Sequence, residues 1–229
     1  MKLLAIETAT EACSAAVLVD SDMSERFEIA PREQAHMILP MVEGLLADNG
    51  ITLSQLDAIA FGRGPGAFTG VRIAASVIQG IAFAADLPVV PVSTLAALAL
   101  GGMHITETKQ VMTALDARKD EVYWGCFTAA DDGAVVLQDA EVVCAPVDIS
   151  CPDSGDWVGV GSGWEAHGDS LMQQAAERVV RVLPDFEPRA GDVARLAVID
   201  YRLGMLTEPA AAVPVYLRNN VAQVKKSLR

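Results

Sequence analysis

Residues 62–72 read Gly62-Arg63-Gly64-Pro65-Gly66-Ala67-Phe68-Thr69-Gly70-Val71-Arg72. No other stretch of the chain restricts the fold so much. An apolar run, Leu56 to Phe61, precedes it, and an Ala-rich run, Val71 to Ala85, follows it. Glycine permits backbone angles closed to other residues, and proline fixes its own. The segment is therefore a shaped strand-to-helix loop. Two readings stay open. Its amides, with the positive end of the next helix, can face an anion. Equally, the glycines can let the helix pack closely on its strand. It is no P-loop, since no Lys-Ser/Thr pair follows, and its spacing is not that of a dinucleotide fingerprint.

The rest of the chain reads as strands and helices in a telling order. Lys2 to Thr8, Cys13 to Asp20 and Glu25 to Ala30 are expected strands, the first two joined by the small-residue link Thr8–Ala12. Apolar residues then recur at helical spacing: Ala35, Ile38, Leu39, Val42, Leu45, Leu46. Pro40 is expected to kink that helix or mark its start, and Asn49-Gly50 to close it. Asp57 to Phe61 is a strand, Val71 to Ala85 a helix and Leu87 to Val92 a strand. A helix capped by Ser93 should run through Leu100 and end at Gly101-Gly102. Three consecutive strands followed by alternating units imply an antiparallel meander extended by parallel crossovers. That is the order of a ribonuclease-H-like, actin-like ATPase lobe.

Residues 103–109 read as a linker. Beyond it, Val111–Leu115, Val122–Phe127 and Val135–Val143 are expected strands, and Trp157–Val160 a short one. Trp164–Ala176 and Asp192–Leu206 are expected helices. The second half thus starts β-β-β again, as a degenerate copy of the first would.

Charge and composition exclude several roles. The chain has 229 residues and a formal charge of −13. Its last twelve residues hold Arg218, Lys225, Lys226 and Arg229 and no acid, so they carry +4 and the remainder −17. A body that acidic repels phosphate backbones. No apolar run reaches membrane-spanning length; the longest, Ile73 to Ala85, is broken by Ser76 and Gln79. Glu7 comes too soon for a signal peptide, so a cytoplasmic location is expected. Cys13, Cys126, Cys144 and Cys151 form no CxxC pair, and read as small apolar residues kept reduced.

Four segments carry a family resemblance: Ile6-Glu7-Thr8; the loop 62–73; Asp116-Ala117-Arg118-Lys119-Asp120-Glu121-Val122-Tyr123; and Tyr216-Leu217-Arg218. Together they resemble the TsaB (YeaZ) family, bacterial accessory proteins of tRNA threonylcarbamoyladenosine synthesis. The resemblance implies an α/β protein with two lobes of the actin-like ATPase (ribonuclease-H-like) fold, mixed sheets with flanking helices. It places a first lobe at 1–104, a degenerate second lobe at 105–217 and a basic tail at 218–229. It implies a heterodimer with TsaD, the related catalytic subunit, and work with the ATPase TsaE. A homodimer is expected when the chain is alone, and tRNA contact only through the complex.

TsaD-like proteins carry a metal-binding His-x-x-x-His after a Pro-Val-Asn segment. The matching stretch here is Pro91-Val92-Ser93-Thr94-Leu95-Ala96-Ala97-Leu98, with Thr94 and Leu98 at the histidine positions. Leucine cannot ligate, so no metal site is expected there, nor proteolysis. His36, His104 and His167 are scattered, and no Gly-x-Ser-x-Gly elbow is present. Glu7, Thr8 and Asp116 are the candidates for a weak, vestigial ATP or ADP site. No other cofactor is expected. The leading reading is a non-catalytic partner subunit. Its rivals are an actin-like ATPase or kinase, a glycoprotease-like hydrolase and a stand-alone RNA-binding module. The partner face is expected on the first two long helices: His36, Met37, Pro40, Met41 and Gly44 on one, Arg72, Ala75, Ser76 and Gln79 on the other. Exposed Met adapts to partners, and small residues suit close helix approach.

Overall fold

A computed structural model describes residues 1–175 and 177–218. The first sheet is built from β1 (Lys2–Glu7), β2 (Ala12–Val19), β3 (Asp22–Ile29), β4 (Ala58–Gly62) and β5 (Val89–Val92). Its spatial order is β3-β2-β1-β4-β5. The three leading strands are antiparallel, and β4 and β5 add in parallel. The second sheet uses β6 (Gln110–Asp116), β7 (Val122–Ala129), β8 (Val135–Leu137), β9 (Val142–Cys144), β10 (Trp157–Val160) and β11 (Val179–Leu183). It runs β11-β10-β6-β7-β8, with β9 also paired to β7. Read strand for strand, this repeats the order of the first sheet. The chain is thus a two-lobed α/β fold of the actin-like ATPase kind, with mixed sheets and flanking helices.

Alternation along the strands decides which helix covers which face. Leu4, Ile6, Ile59 and Phe61 point to α1 (Gln34–Asp48) and α2 (Phe68–Ala85). Leu3, Ala5, Ala58 and Ala60 point the other way, to α5 (Ala190–Arg202). Alanine meets alanine there: Ala190, Ala194 and Ala197 face Ala5, Ala16 and Ala60, so helix and sheet approach closely. The helix expected at 192–206 therefore covers the first sheet, although it lies far along the chain. In the second lobe α4 (Ser162–Ala175) covers Met112, Ala114 and Trp124. The opposite face of that sheet rests on α3 (Thr94–Thr106). α3 and α5 touch each other, sandwiched between the two sheets.

Several boundaries differ from expectation. α3 does not stop at Gly101-Gly102 but continues to Thr106, so 103–109 is no simple linker. Both glycines are buried, and a side chain at either would strike Asp192 and Phe186 or Val160. Packing space selected glycine there, not helix termination. Val135–Val143 splits into β8 and β9. β11, VVRVL, was not anticipated. Pro40 lies inside α1 on its exposed side. α2 is long and apolar enough, by length and composition, to cross a membrane, contrary to the sequence reading. Its Val71, Ala74, Ile78 and Ala82 are nevertheless buried within the first lobe. The cysteines are unpaired, Cys13 and Cys126 buried and Cys144 and Cys151 half-buried. The basic residues of the tail beyond Arg218 lie outside the described residues.

Candidate functional site

The glycine loop folds into a clamp rather than an open cradle. Arg63 N donates to Val92 O at 2.8 Å, and Ala67 N to Ala9 O at 2.7 Å. Gly64 N donates to Thr94 Oγ1 at 3.2 Å, and Gly64 O accepts from Thr94 N at 3.0 Å. Thr8 Oγ1 donates to Gly70 O at 2.8 Å. These bonds tie the first hairpin, the loop and the start of α3 together, leaving those amides no role toward an anion. Gly66 and Gly70 sit so near Ala9 O and Thr8 O that a Cβ on either would overlap them. Close approach is thus the reason for glycine here.

Glu7 lies under the clamp. It is 1% exposed, beneath Gly62, where any side chain would collide with its carboxyl. Oε1 accepts from Ala9 N at 2.7 Å and Oε2 from Thr94 Oγ1 at 2.9 Å. Burial pushes its pKa up from 4.5 to about 7, against the lowering effect of those bonds. Thr94, at the first histidine position of the catalytic relatives' motif, is therefore a buried hydrogen-bond bridge. Leu98, at the second, lies in the core with Phe127 and Val160.

Glu7 and Thr8, candidates for a weak, vestigial nucleotide site, are both buried and hydrogen-bonded within the fold. Asp116 stands apart from them, at the edge of the second lobe. Its Oδ1 accepts from Arg118 N at 2.8 Å, its Oδ2 pairs with Arg118 at 3.0 Å, and His167 Nε2 lies 3.8 Å away. Arg118 also reaches Glu11 of the first lobe at 3.8 Å. The cleft between these hairpins is acidic. Burial raises the pKa of Glu187, and the charges of Glu11 and Glu165 raise it further. Glu187 Oε2 is buried without a hydrogen-bond partner. Among the described residues, no three His, Cys, Asp or Glu side chains converge to hold a metal.

The residues expected at the partner face fall into two groups, those at the surface and two in the core. His36, Pro40, Arg72 and Ser76 are exposed, and Met37 and Gly44 half-buried. Gly44 is covered by the Arg26 guanidinium, which pairs with Asp48 at 2.6 Å. Gln79 is half-buried and donates to Ala212 O at 3.1 Å. Met41 and Ala75, however, are 7% and 4% exposed and belong to the core between α1, α2 and the sheet. The buried stripe of each helix is wider than the spacing suggested, and takes in Met41 on α1 and Ala75 on α2. Leu39, placed in the core by spacing, is exposed instead, and Phe83 is 82% exposed. An aromatic on the last turn of a helix, outside its apolar stripe, was the available sign. α1 and α2 lie side by side on one face of the first sheet and offer a continuous surface.

Sequence reasoning also missed the polar ties between lobes. Glu141 accepts from the Ser93 hydroxyl and lies 3.9 Å from Arg63. Burial raises its pKa. Arg218 donates to Ala117 O at 3.1 Å and pairs with Glu121. Such contacts join residues far apart in the chain and leave no local pattern.

The family model described as TsaD, tRNA N6-adenosine threonylcarbamoyltransferase, matches residues 27–226. The tRNA threonylcarbamoyladenosine biosynthesis protein TsaB of Escherichia coli K12 is 40% identical over 228 residues, 98% of each chain. Its namesake from Haemophilus influenzae is 37% identical, over 98% of this chain and 97% of that one. The solved structure of YeaZ from Pseudomonas aeruginosa superposes with a TM-score of 0.86 at 43% identity, covering 94% of this chain and 99% of that one.

Proposed function

Because the chain belongs to the TsaB (YeaZ) family, whose members are named for tRNA threonylcarbamoyladenosine biosynthesis, we propose that it is a non-catalytic subunit that docks on TsaD. It acts with TsaE, and meets tRNA only through that complex. Alone, it pairs with a second copy through the same face. The modified base on this reading is the adenosine beside the anticodon of tRNAs that read A-starting codons. The reading places the protein in the cytoplasm.

The observation that carries the reading is the bare α1–α2 surface. Leu39, Phe68 and Phe83 are 45%, 51% and 82% exposed on a helix pair whose outer face also carries small residues such as Ala35, Ala47, Ser76, Gly80 and Ala84. Large apolar side chains left exposed on one helix pair favour an interaction site there. The chemistry of the first lobe agrees. Thr94 and Leu98 offer no imidazole where the catalytic relatives bind metal, and both are occupied in packing. A nucleotide in the cleft is the less favoured reading. Glu7 and Thr8 are sealed beneath the clamp, and Glu11, Glu165 and Glu187 oppose a polyphosphate.

Ser76 and Phe83 are exposed, so Ser76→Arg and Phe83→Asp should leave folding intact. A long charge in a tight helix crossing has nowhere to go. Each should weaken TsaD binding by calorimetry at least ~tenfold, as losses at the centre of an interface do. Wild-type affinity in both folded variants would refute the reading.

A further inference from the structure

We propose that Arg72 is a preorganised receptor for a carboxylate of the partner subunit. This inference rests on the docking reading above and names the chemistry at one point of that surface. Arg72 opens the second turn of α2. Its guanidinium carbon lies 3.7 Å from the centroid of the Phe68 ring and 5.7 Å from that of Tyr216. The two rings are 5.9 Å apart and tilted by 35°. Arg72 Nε donates to the Tyr216 hydroxyl at 2.8 Å. The cation is thus gripped by both rings and oriented by a hydrogen bond.

The grip is itself anchored. Tyr216 belongs to the segment Val213–Arg218, which runs from α2 to the second lobe. Val215 N donates to Arg63 O at 2.8 Å, and Gln79 holds Ala212 O at 3.1 Å. Arg218 closes the far end on the carbonyls of Ala117 and Arg118. The Tyr216 ring therefore has little freedom to swing away.

Six of the described arginines pair with a carboxylate, whereas Arg32, Arg72, Arg178, Arg181 and Arg202 do not. What sets Arg72 apart from the other four is the pair of aromatic rings that holds it. Among the described residues its polar partner is a neutral hydroxyl on Nε, which leaves its Nη donors for a ligand. A guanidinium with both Nη groups available and its rotamer fixed matches a carboxylate fork at little entropic cost. Phe68 and Tyr216 stay 51% and 43% exposed, so an arriving side chain meets an aromatic wall on each side. Arg and Tyr are the residue types in which binding energy concentrates. A phosphate could satisfy the same donors, but the acidic body repels a polyanion. A single Asp or Glu on the partner's docking helices meets no such barrier.

The test uses the full chain and purified TsaD, by calorimetry at two salt concentrations. Arg72→Met keeps the apolar stem between the rings and removes the charge. It should weaken binding ~10- to 100-fold, the size of a hydrogen bond to a charged group, and flatten the salt dependence. Arg72→Lys should not restore affinity, because an ammonium lacks the planar fork. Tyr216→Phe should cost less, about 2- to 10-fold. One acidic position on TsaD, changed to its amide, should then show coupling to Arg72→Met in a double-mutant cycle.

Wild-type affinity for Arg72→Met, with Ser76→Arg still impaired, would overturn this inference and leave the docking reading standing. Normal binding by both would remove the docking reading as well. Coupling to no partner carboxylate would overturn it. So would an effect of Arg72→Met confined to tRNA binding, or confined to self-association by sedimentation.

Discussion

Changing Glu7 to Gln should invert its effect on stability with pH. The carboxyl is sealed beneath Gly62, and burial lifts its pKa from 4.5 to about 7. In the unfolded chain it ionises near 4.5, while in the folded protein it keeps its proton until about 7. The unfolded state therefore binds fewer protons between those values, and folding stability falls as pH rises through that window. Each pH unit of difference is worth about 1.4 kcal/mol, so the loss reaches ~3 kcal/mol by neutral pH. Glutamine has the shape of the protonated acid. Its oxygen can accept from Ala9 N, and its amide can donate to Thr94 Oγ1, which already accepts from Gly64 N. One amide hydrogen is left over, and the Thr94 hydroxyl hydrogen loses the acceptor it has on Glu7, together about 2 kcal/mol. At pH 4.5 Glu7→Gln should thus be less stable than wild type by ~2 kcal/mol, and at pH 8 more stable by ~1 kcal/mol. Urea unfolding of both proteins at several pH values measures the difference. Glu141, Asp192 and Asp200, whose pKa values burial also raises, cancel in that comparison, while Glu187, whose charge contributes to the Glu7 shift, adds a smaller change of its own. A stability difference that stays constant from pH 4.5 to 8 would show that Glu7 does not titrate there, and the reasoning from burial would fail.

Met41→Glu and Ala75→Glu place a charge in the core between α1, α2 and the sheet. They should destabilise the fold by ~3–5 kcal/mol, read as a lower melting temperature, and not act as clean interface variants. Gly70→Ala separates two effects of opposite sign: helix propensity alone would stabilise α2 by ~1 kcal/mol. Overlap with Thr8 O should win and cost ~1–3 kcal/mol in chemical denaturation, so a stabilised variant would contradict the clamp. tRNA binding by the isolated chain should be weak and vanish at moderate salt in a gel-shift titration, since only the last twelve residues are basic. Tight binding after removal of that tail would point to a basic surface on the body.

The order of elements was legible because each rule involved is local. Period-two strands, 3.6-period helices and a loop rich in glycine fixed three strands followed by alternating units in the first lobe. The glycine loop, the Asp116–Tyr123 segment and the residues at 94 and 98 identified the family and spoke against a metal. What the sequence left open was decided by contacts between distant segments. A helical wheel ranks positions by apolarity, but the packing of α1 and α2 against each other and their sheet chose which of Met41, Ala75, Leu39 and Phe83 is inside. Gly101 and Gly102 read as a helix stop because local propensity says so, whereas crowding by Phe186, Asp192 and Val160 made them interior helix residues. The loop glycines admitted two readings until the carbonyls of Thr8 and Ala9 came to rest against them. The grip of Phe68 and Tyr216 on Arg72 joins residues 144 positions apart, and no pattern in the chain announces it. Sequence sets what each segment prefers; only the packed structure sets which neighbour each side chain meets, and burial, pKa and recognition follow from the neighbour.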